Sequence, residues 1–416
     1  MPAHIDDLAA FVEASPTSYH AAAEVARRLD AAGHRRQDER AAWSGETGYV
    51  VRDGAVIAWR VPDSWSPDQG VRIVGSHTDS PALKLKPSPA LRSAGWTQLG
   101  MEVYGGPLLL TWFDRELGLA GRLALRDGST RLVRTGPLLR VPSLAPHLDR
   151  TLGDHVQVDR QLHLQPVYAP GDATDVLDLL LEAADATGED LAGYDVFTYP
   201  TEAPQTFGAD GELFASRRLD NLSSVHASLT AYLDDDSAGD AVSVLAAFDH
   251  EEVGSATRSG AAGPLLEDVL RRTLTALGAD DEANRRALAA SSCISADAGH
   301  AVHPNYPGHH DPANRPLPNR GPLLKLNASQ RYASDAVGSA LWYRACHSAG
   351  VPTQEFVSSN AVPCGSTIGP ITATRLGITT VDVGIPLLSM HSARELCGVD
   401  DPGHLARALT AYWSGA

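Results

Sequence analysis

The sequence predicts an α/β domain built on a mostly parallel, mixed sheet flanked by helices, with a second, mainly β domain inserted into it. Three observations lead there. Short apolar or β-branched runs recur at Val71–Gly75, Val242–Phe248, Cys293–Ala296 and Thr379–Val383, the composition of strands buried on both faces. Between them lie stripes at helical spacing: Leu222, Val225, Leu229 and Leu233 in one, and Leu266, Val269, Leu270, Leu274 and Leu277 in another. Strands alternating with helices imply a parallel sheet. From about Ser88 to Phe207 the pattern changes. TWFDRELGLAGRLALRDGSTRLVRTGPLLRVPSL is a series of short alternating stretches broken by Gly and Pro, which reads as an antiparallel unit, and one helical segment, VLDLLLEAADA, interrupts the region. At 416 residues the chain exceeds what one hydrophobic core usually serves. A discontinuous domain of residues 1–87 and 208–416, with 88–207 inserted, suits that length.

Composition narrows the function classes. The 43% apolar and 20% charged content is that of a globular chain. A net charge of -17 speaks against nucleic acid, whose phosphates need basic patches. The first residues carry acids and no continuous apolar stretch, unlike a secretory signal, and no segment approaches the length of a membrane span. Cys293, Cys346, Cys364 and Cys397 are scattered without a CxxC pair, which suits reduced thiols. The expectation is a soluble, cytoplasmic protein with no membrane or nucleic-acid partner. Of 34 basic residues only Lys84, Lys86 and Lys325 are lysines. Coding bias accounts for that skew as readily as a need for a compact, flexible ammonium at those positions.

The chemistry-bearing residues gather where strands end. VRIVG runs into His77 and Asp79, VSVLAAF into Glu251 and Glu252, CISA into Asp297, and TTVDV leads through GIPLLSM to His391. Asp220, in SRRLDNLSS, opens the helix before the second of these strands. In a parallel sheet the carboxyl ends of strands share one edge, where distant residues converge. Singly, each of these residues could be a turn or cap residue; together they predict a metal site. Imidazole and carboxylate without thiolate suit catalytic zinc, manganese or cobalt better than a structural zinc. Asp220, Glu252 and Asp297 would leave two divalent ions one positive charge in excess, which a bridging hydroxide cancels, so the balance favours a two-metal centre. Neighbouring side chains on a strand point to opposite faces. That divergence, carried beyond the strand end, would let one acid of the Glu251–Glu252 pair ligate while the other takes a proton.

SHTDSPALKLKP, YGGPLLLTWFDREL, SRRLDNLSS, FDHEEVGS, ISADAGHAVHPNY, LKLNASQRYASDA, CGSTIGP and SMHSARE, taken in order, resemble the motif set of the aspartyl aminopeptidase family, which includes a vacuolar aminopeptidase of yeast. The resemblance runs from about Ser15 to Glu395. It implies a zinc-exopeptidase type of fold and a dinuclear metal aminopeptidase that releases one N-terminal residue, Asp or Glu by preference, through attack of a bridging hydroxide. It also implies two divalent ions per subunit, zinc first, with manganese or cobalt as alternatives. His77, Asp297 and a bridging Asp220 would hold the first ion, and Asp220, Glu252 and His391 the second. Glu251 becomes the general base and Asp79 the residue that orients its histidine. Lys325 would receive an acidic side chain, with His300, His303 and the Gly365, Ser366 and Thr367 stretch lining the substrate pocket. The family's inserted domain makes dimer contacts within a tetrahedral dodecamer, and His147 matches a histidine that reaches a neighbouring active site. Ala298–Gly299 departs from a bulkier pair in the family and so bears on pocket shape. Two other readings stay open: a preference for neutral residues such as Leu, and a non-catalytic peptide-binding or scaffolding shell.

Overall fold

Alternate residues of the predicted strands bury themselves in two different cores. Val71, Ile73, Val244, Ala246, Phe248 and Cys293 join one cluster, and Val74, Leu245, Ala247, Ile294 and Val381 join the other. Strands buried on both faces need helices on both. A computed structural model describes residues 4–153, 156–234 and 239–416.

In chain order the elements begin with helices α1 (His4–Ala14) and α2 (Ser18–Ala31), then strands β1 (Arg35–Arg36), β2 (Gly48–Arg52), β3 (Ala55–Arg60) and β4 (Val71–His77). There follow β5 (Ala82–Ser93), β6 (Trp96–Tyr104), β7 (Leu117–Leu125), β8 (Thr130–Arg134), β9 (Val167–Pro170), α3 (Val176–Glu182) and β10 (Leu191–Pro200). The chain continues through β11 (Gln205–Phe207), β12 (Leu213–Ser216), α4 (Leu219–Leu233), β13 (Val242–Phe248), α5 (Leu265–Ala276), α6 (Asp281–Ala289), β14 (Ser292–Ala296), β15 (Gly299–His300) and β16 (Leu323–Leu326). It closes with α7 (Ala336–Ala349), β17 (Gln354–Val357), α8 (Ile368–Leu376), β18 (Thr379–Gly384), β19 (Pro386–Leu387), β20 (Glu395–Gly398) and α9 (Asp401–Ser414).

Two units emerge. The first comprises residues up to Asp79, Pro204–Met390 and Glu395–Ala416. Its mixed sheet runs β1-β2-β3-β13-β4-β14-β18-β16-β17, with parallel pairing from β13 through β4 and β14 to β18. One face is covered by α1, α2, α4, α7 and α9, the other by α5, α6 and α8. A three-stranded sheet, β11-β12-β20, and the β15-β19 pair complete it. The predicted leucine stripes lie on α4 and α5.

The second unit, Ser80–Ala203 with His391–Arg394, is an antiparallel sheet of order β8-β7-β10-β5-β6-β9 with its own core of Leu83, Leu119, Leu123, Leu180 and Val196. Its limits fall earlier than the expected 88 and 207. β5 pairs with β6 from Ala82 onward, so the strand cannot be divided at 88, whereas β11 already pairs with β12 of the first unit. The predicted helix VLDLLLEAADA ends at Glu182. Lys84 and Lys86 both serve this unit: Lys84 bonds Asp195 at 2.7 Å and Lys86 reaches Gln161 at 3.3 Å.

Candidate metal centre

Three strand ends meet because β4 lies between β13 and β14. The register sets Phe248 beside His77 and Ser295 beside Gly75, so the residues just past β13 and β14 emerge level with the end of β4. A hydrogen bond from the Thr78 amide to the Phe248 carbonyl, 2.7 Å, holds the first two ends together. Asp220 arrives from α4. Its backbone and that of Asn221 are non-helical, the peptide joining them is cis, and the helix proper begins beyond them. Asn221 Nδ2 donates to the Ala296 carbonyl at 2.9 Å, tying this turn to the end of β14. Arg218 and His250, which precede the turns carrying Asp220 and the glutamate pair, both sit in the left-handed region, at φ of 59° and 64°. Such backbone costs energy in a non-glycine residue and clusters at functional sites.

The predicted first-ion set is assembled here. Ligand atoms of His77, Asp220 and Asp297 lie within 4.8 Å of one another, and so do those of His77, Glu251 and Glu252. His77 Nε2 is 3.3 Å from Asp220 Oδ1 and 3.6 Å from Asp297 Oδ1. On its other side His77 Nδ1 lies 3.1 Å from the Asp79 carbonyl oxygen and 3.3 Å from its Oδ1. As a donor, Nδ1 fixes the tautomer and leaves the Nε2 lone pair for a cation. His77, Asp79, Asp220 and Asp297 are buried. Burial alone would lower the His77 pKa, but the carboxylates of Asp220, Asp297 and Asp79 outweigh it and raise the pKa well above 6.5. A cation is what this constellation calls for, and an all-imidazole and carboxylate donor set fits a divalent ion of the zinc, manganese or cobalt kind.

The glutamate pair departs from expectation. β13 ends at Phe248, and Glu251–Val253 form a 3-10 turn, so no pleat drives the two side chains apart. Both carboxylates belong to one group with His77. What orients them is Asp79: its Oδ1 accepts the Glu251 amide at 3.0 Å and its Oδ2 the Glu252 amide at 3.1 Å. Burial is the main reason the Glu251 pKa rises to about 7, the positive His77 opposing it and Asp297, Asp220 and Asp79 adding to it. Asp249 behaves similarly, pushed up to about 6 by burial and then by Asp79.

The family model for the aminopeptidase I zinc metalloproteases (M18) matches residues 11–413. The chain belongs to the M18 aminopeptidase family. It is thus a zinc metallopeptidase by family, a hydrolase of peptide bonds. Among curated relatives, a probable M18 family aminopeptidase 2 of Streptomyces coelicolor is 52% identical over 98% of this chain and 97% of its own, and a namesake of Pseudomonas aeruginosa is 44% identical over 98% and 97%. Among solved structures, Ape4 in a complex with Nbr1 superposes with a TM-score of 0.95 at 33% identity, covering 99% of this chain and 85% of that one. The S. cerevisiae mApe1 dodecamer gives 0.85 at 28%, covering 98% and 95%. Among the described residues no helix is long and apolar enough to cross a membrane.

In this M18 chain the remaining candidates have surroundings of their own. Lys325, on β16, is buried; its Nζ donates to the Ala298 carbonyl at 2.7 Å and lies 3.7 Å from Asp297 Oδ2. The small residue at 299 makes room for it, since a Cβ there would stand 2.5 Å from Leu323 Cδ1 and 3.2 Å from Lys325 Cε. His300 is exposed and packs edge-on to Phe356, while His303 Nδ1 accepts the Asn305 amide at 3.2 Å. Gly365 and Ser366 are exposed and bonded to Arg331, the Gly365 carbonyl accepting from its Nε and Ser366 Oγ donating to its carbonyl. The Thr367 hydroxyl caps α8, accepting the Gly369 amide and donating to Asp382 at 2.5 Å. His391 stands in the segment that groups with the inserted unit, where Nδ1 lies 3.1 Å from the Gly106 carbonyl oxygen. His147 is exposed in the turn after Pro146. Two acids escaped the sequence reading: Asp249, buried and accepting the Gly54 and His250 amides at 3.2 and 3.0 Å, and Glu395, buried beside Asp220. Asp249 precedes the HEE triplet and Glu395 ends SMHSARE, so both lay inside quoted motifs.

Proposed function

We propose that this chain is a dinuclear metal aminopeptidase that removes one N-terminal residue, Asp or Glu by preference, from short peptides. The observation that carries this is the convergence of His77, Asp220 and Asp297 with Glu251 and Glu252 at one sheet edge. His77, Asp220 and Asp297 would hold one ion, and Asp220, Glu252 and His391 the other. When bound, a metal pair would lower the pKa of a coordinated water and polarise the scissile carbonyl. Glu251 then takes the proton of the attacking water and later delivers it to the leaving amine. Asp79 keeps His77 in its ligating tautomer and fixes both glutamate amides. His300, His303 and the Gly365–Thr367 stretch line the pocket, the last through backbone amides, since the Thr367 hydroxyl is engaged in capping.

Acidic preference rests on Lys325, whose ammonium lies 3.7 Å from Asp297 Oδ2. A neutral preference has its own support: this ammonium is buried and already donates to the Ala298 carbonyl. Steady-state hydrolysis of Asp-, Glu- and Leu-anilides by wild type and Lys325→Ala separates the two. Acidic preference predicts faster Asp and Glu turnover that collapses selectively in the variant. Equal loss on all three substrates would transfer Lys325 to a structural role.

The assembly is proposed as a tetrahedral dodecamer of dimers joined through the inserted unit. Supporting this, a groove of about 910 Å³ on that unit is lined by Leu110, Phe113, Leu144, Val156 and Leu162, and Leu148 and Leu162 are 75% and 71% exposed. Apolar surface of this kind marks an association site. In the assembly, His147 would serve a neighbouring subunit.

A further inference from the structure

Helix starts leave amide groups without intrahelical acceptors, and a side chain usually supplies one. The start of α4 is an unusual case because it carries a metal ligand. Asp220 has φ -83° and ψ 102°, Asn221 has φ -124° and ψ 24°, and Arg218 before them is left-handed, so helical hydrogen bonding does not set the position of Asp220. The acceptor for its amide is Glu395, whose Oε2 lies 2.9 Å from the Asp220 nitrogen. Glu395 is 2% exposed. It is delivered by the pairing of β20 with β12, in which Glu395 stands opposite Ser216, four residues before Asp220 in the chain. Burying a carboxylate is costly unless charge-assisted hydrogen bonds compensate, and here one of them falls on the backbone of a ligand.

We propose that Glu395 is a positioning residue for the metal centre, holding the Asp220 turn so that its carboxylate is placed to ligate. The proposal rests on the dinuclear reading above and concerns the hydrogen bond, not the charge. Glutamine keeps an acceptor oxygen at the same reach and removes the charge; aspartate keeps the charge and withdraws the acceptor by a methylene.

The test is zinc affinity of the full chain by competition with a chromogenic chelator, with zinc per chain by elemental analysis and apo-protein melting recorded alongside. Glu395→Asp is expected to weaken zinc binding about 10- to 100-fold, the range for residues that orient ligands, while Glu395→Gln stays near wild type. Any other pattern overturns the assignment: both variants unchanged, both weakened alike, or glutamine weaker than aspartate. A Glu395→Asp chain that fails to fold overturns it too, since the role would then be in the fold. Wild-type protein that binds no zinc would instead sink the dinuclear reading itself.

Discussion

Glu251 and Glu252 are adjacent in sequence and share one ligand group in space, which makes the division of labour between them a question of charge and reach. Burial and the surrounding acids hold the Glu251 carboxyl neutral up to about pH 7 in the metal-free protein. Dications have the opposite effect, favouring the carboxylate, so metal loading would move this pKa downward and leave Glu251 ionised at neutral pH, as the proposed base requires. Glu251→Gln cannot accept that proton. It should retain its zinc, measured by elemental analysis, while turnover falls by about 10²- to 10⁴-fold, the usual contribution of a general base. Retained turnover would place the base elsewhere, and loss of zinc would make Glu251 a ligand.

At the level of elements, the sequence made the strands legible because parallel strands buried on both faces leave continuous apolar runs, and it pointed to the candidate ligands because those runs stopped close to polar residues. The glutamate turn was not legible. VSVLAAF stops where β13 does, at Phe248, but DHEE gives no sign of the left-handed residue at His250 or of the 3-10 turn after it, because the Asp79 carboxylate that accepts both glutamate amides meets them only in the fold. The N-terminal helix is a second case. Asp7 of α1 bonds His226 Nε2 of α4 at 2.6 Å and Arg28 of α2 at 2.7 and 3.1 Å, and the His4 ring stands edge-on to that of His226 at 4.6 Å. Burial, and then His226, lower the His4 pKa from 6.5 to about 3; burial lowers that of His226 too, against the pull of Asp7. Released rings would take up protons that docked rings refuse, so docking of α1 is fully stable above 6.5 and weakens as pH falls toward 3. Amide exchange over α1, corrected for intrinsic rate, should show less protection at about pH 5 than at about pH 7.5. Equal protection at both would mean that the rings do not control docking.

For the whole molecule, a net charge of -17 repels acidic peptides at long range, but salt screens it within roughly 8 Å, so selection falls to local groups. Whether those groups come from one chain or two is the remaining question about assembly. His147 lies exposed on the inserted unit, on the same unit as the apolar groove. If it serves a neighbour's centre, a subunit lacking His147 still has its own Glu251, and a subunit lacking Glu251 can still lend its His147. His147→Ala and Glu251→Gln homo-oligomers would each be inactive while binding zinc. Mixed and reassembled, they would form pairs in which one centre combines an intact Glu251 with the partner's intact His147, and peptidase activity should return. Size-exclusion chromatography with differently tagged subunits verifies co-assembly. If mixed particles form and activity stays at the level of the separate variants, His147 does not act across the interface.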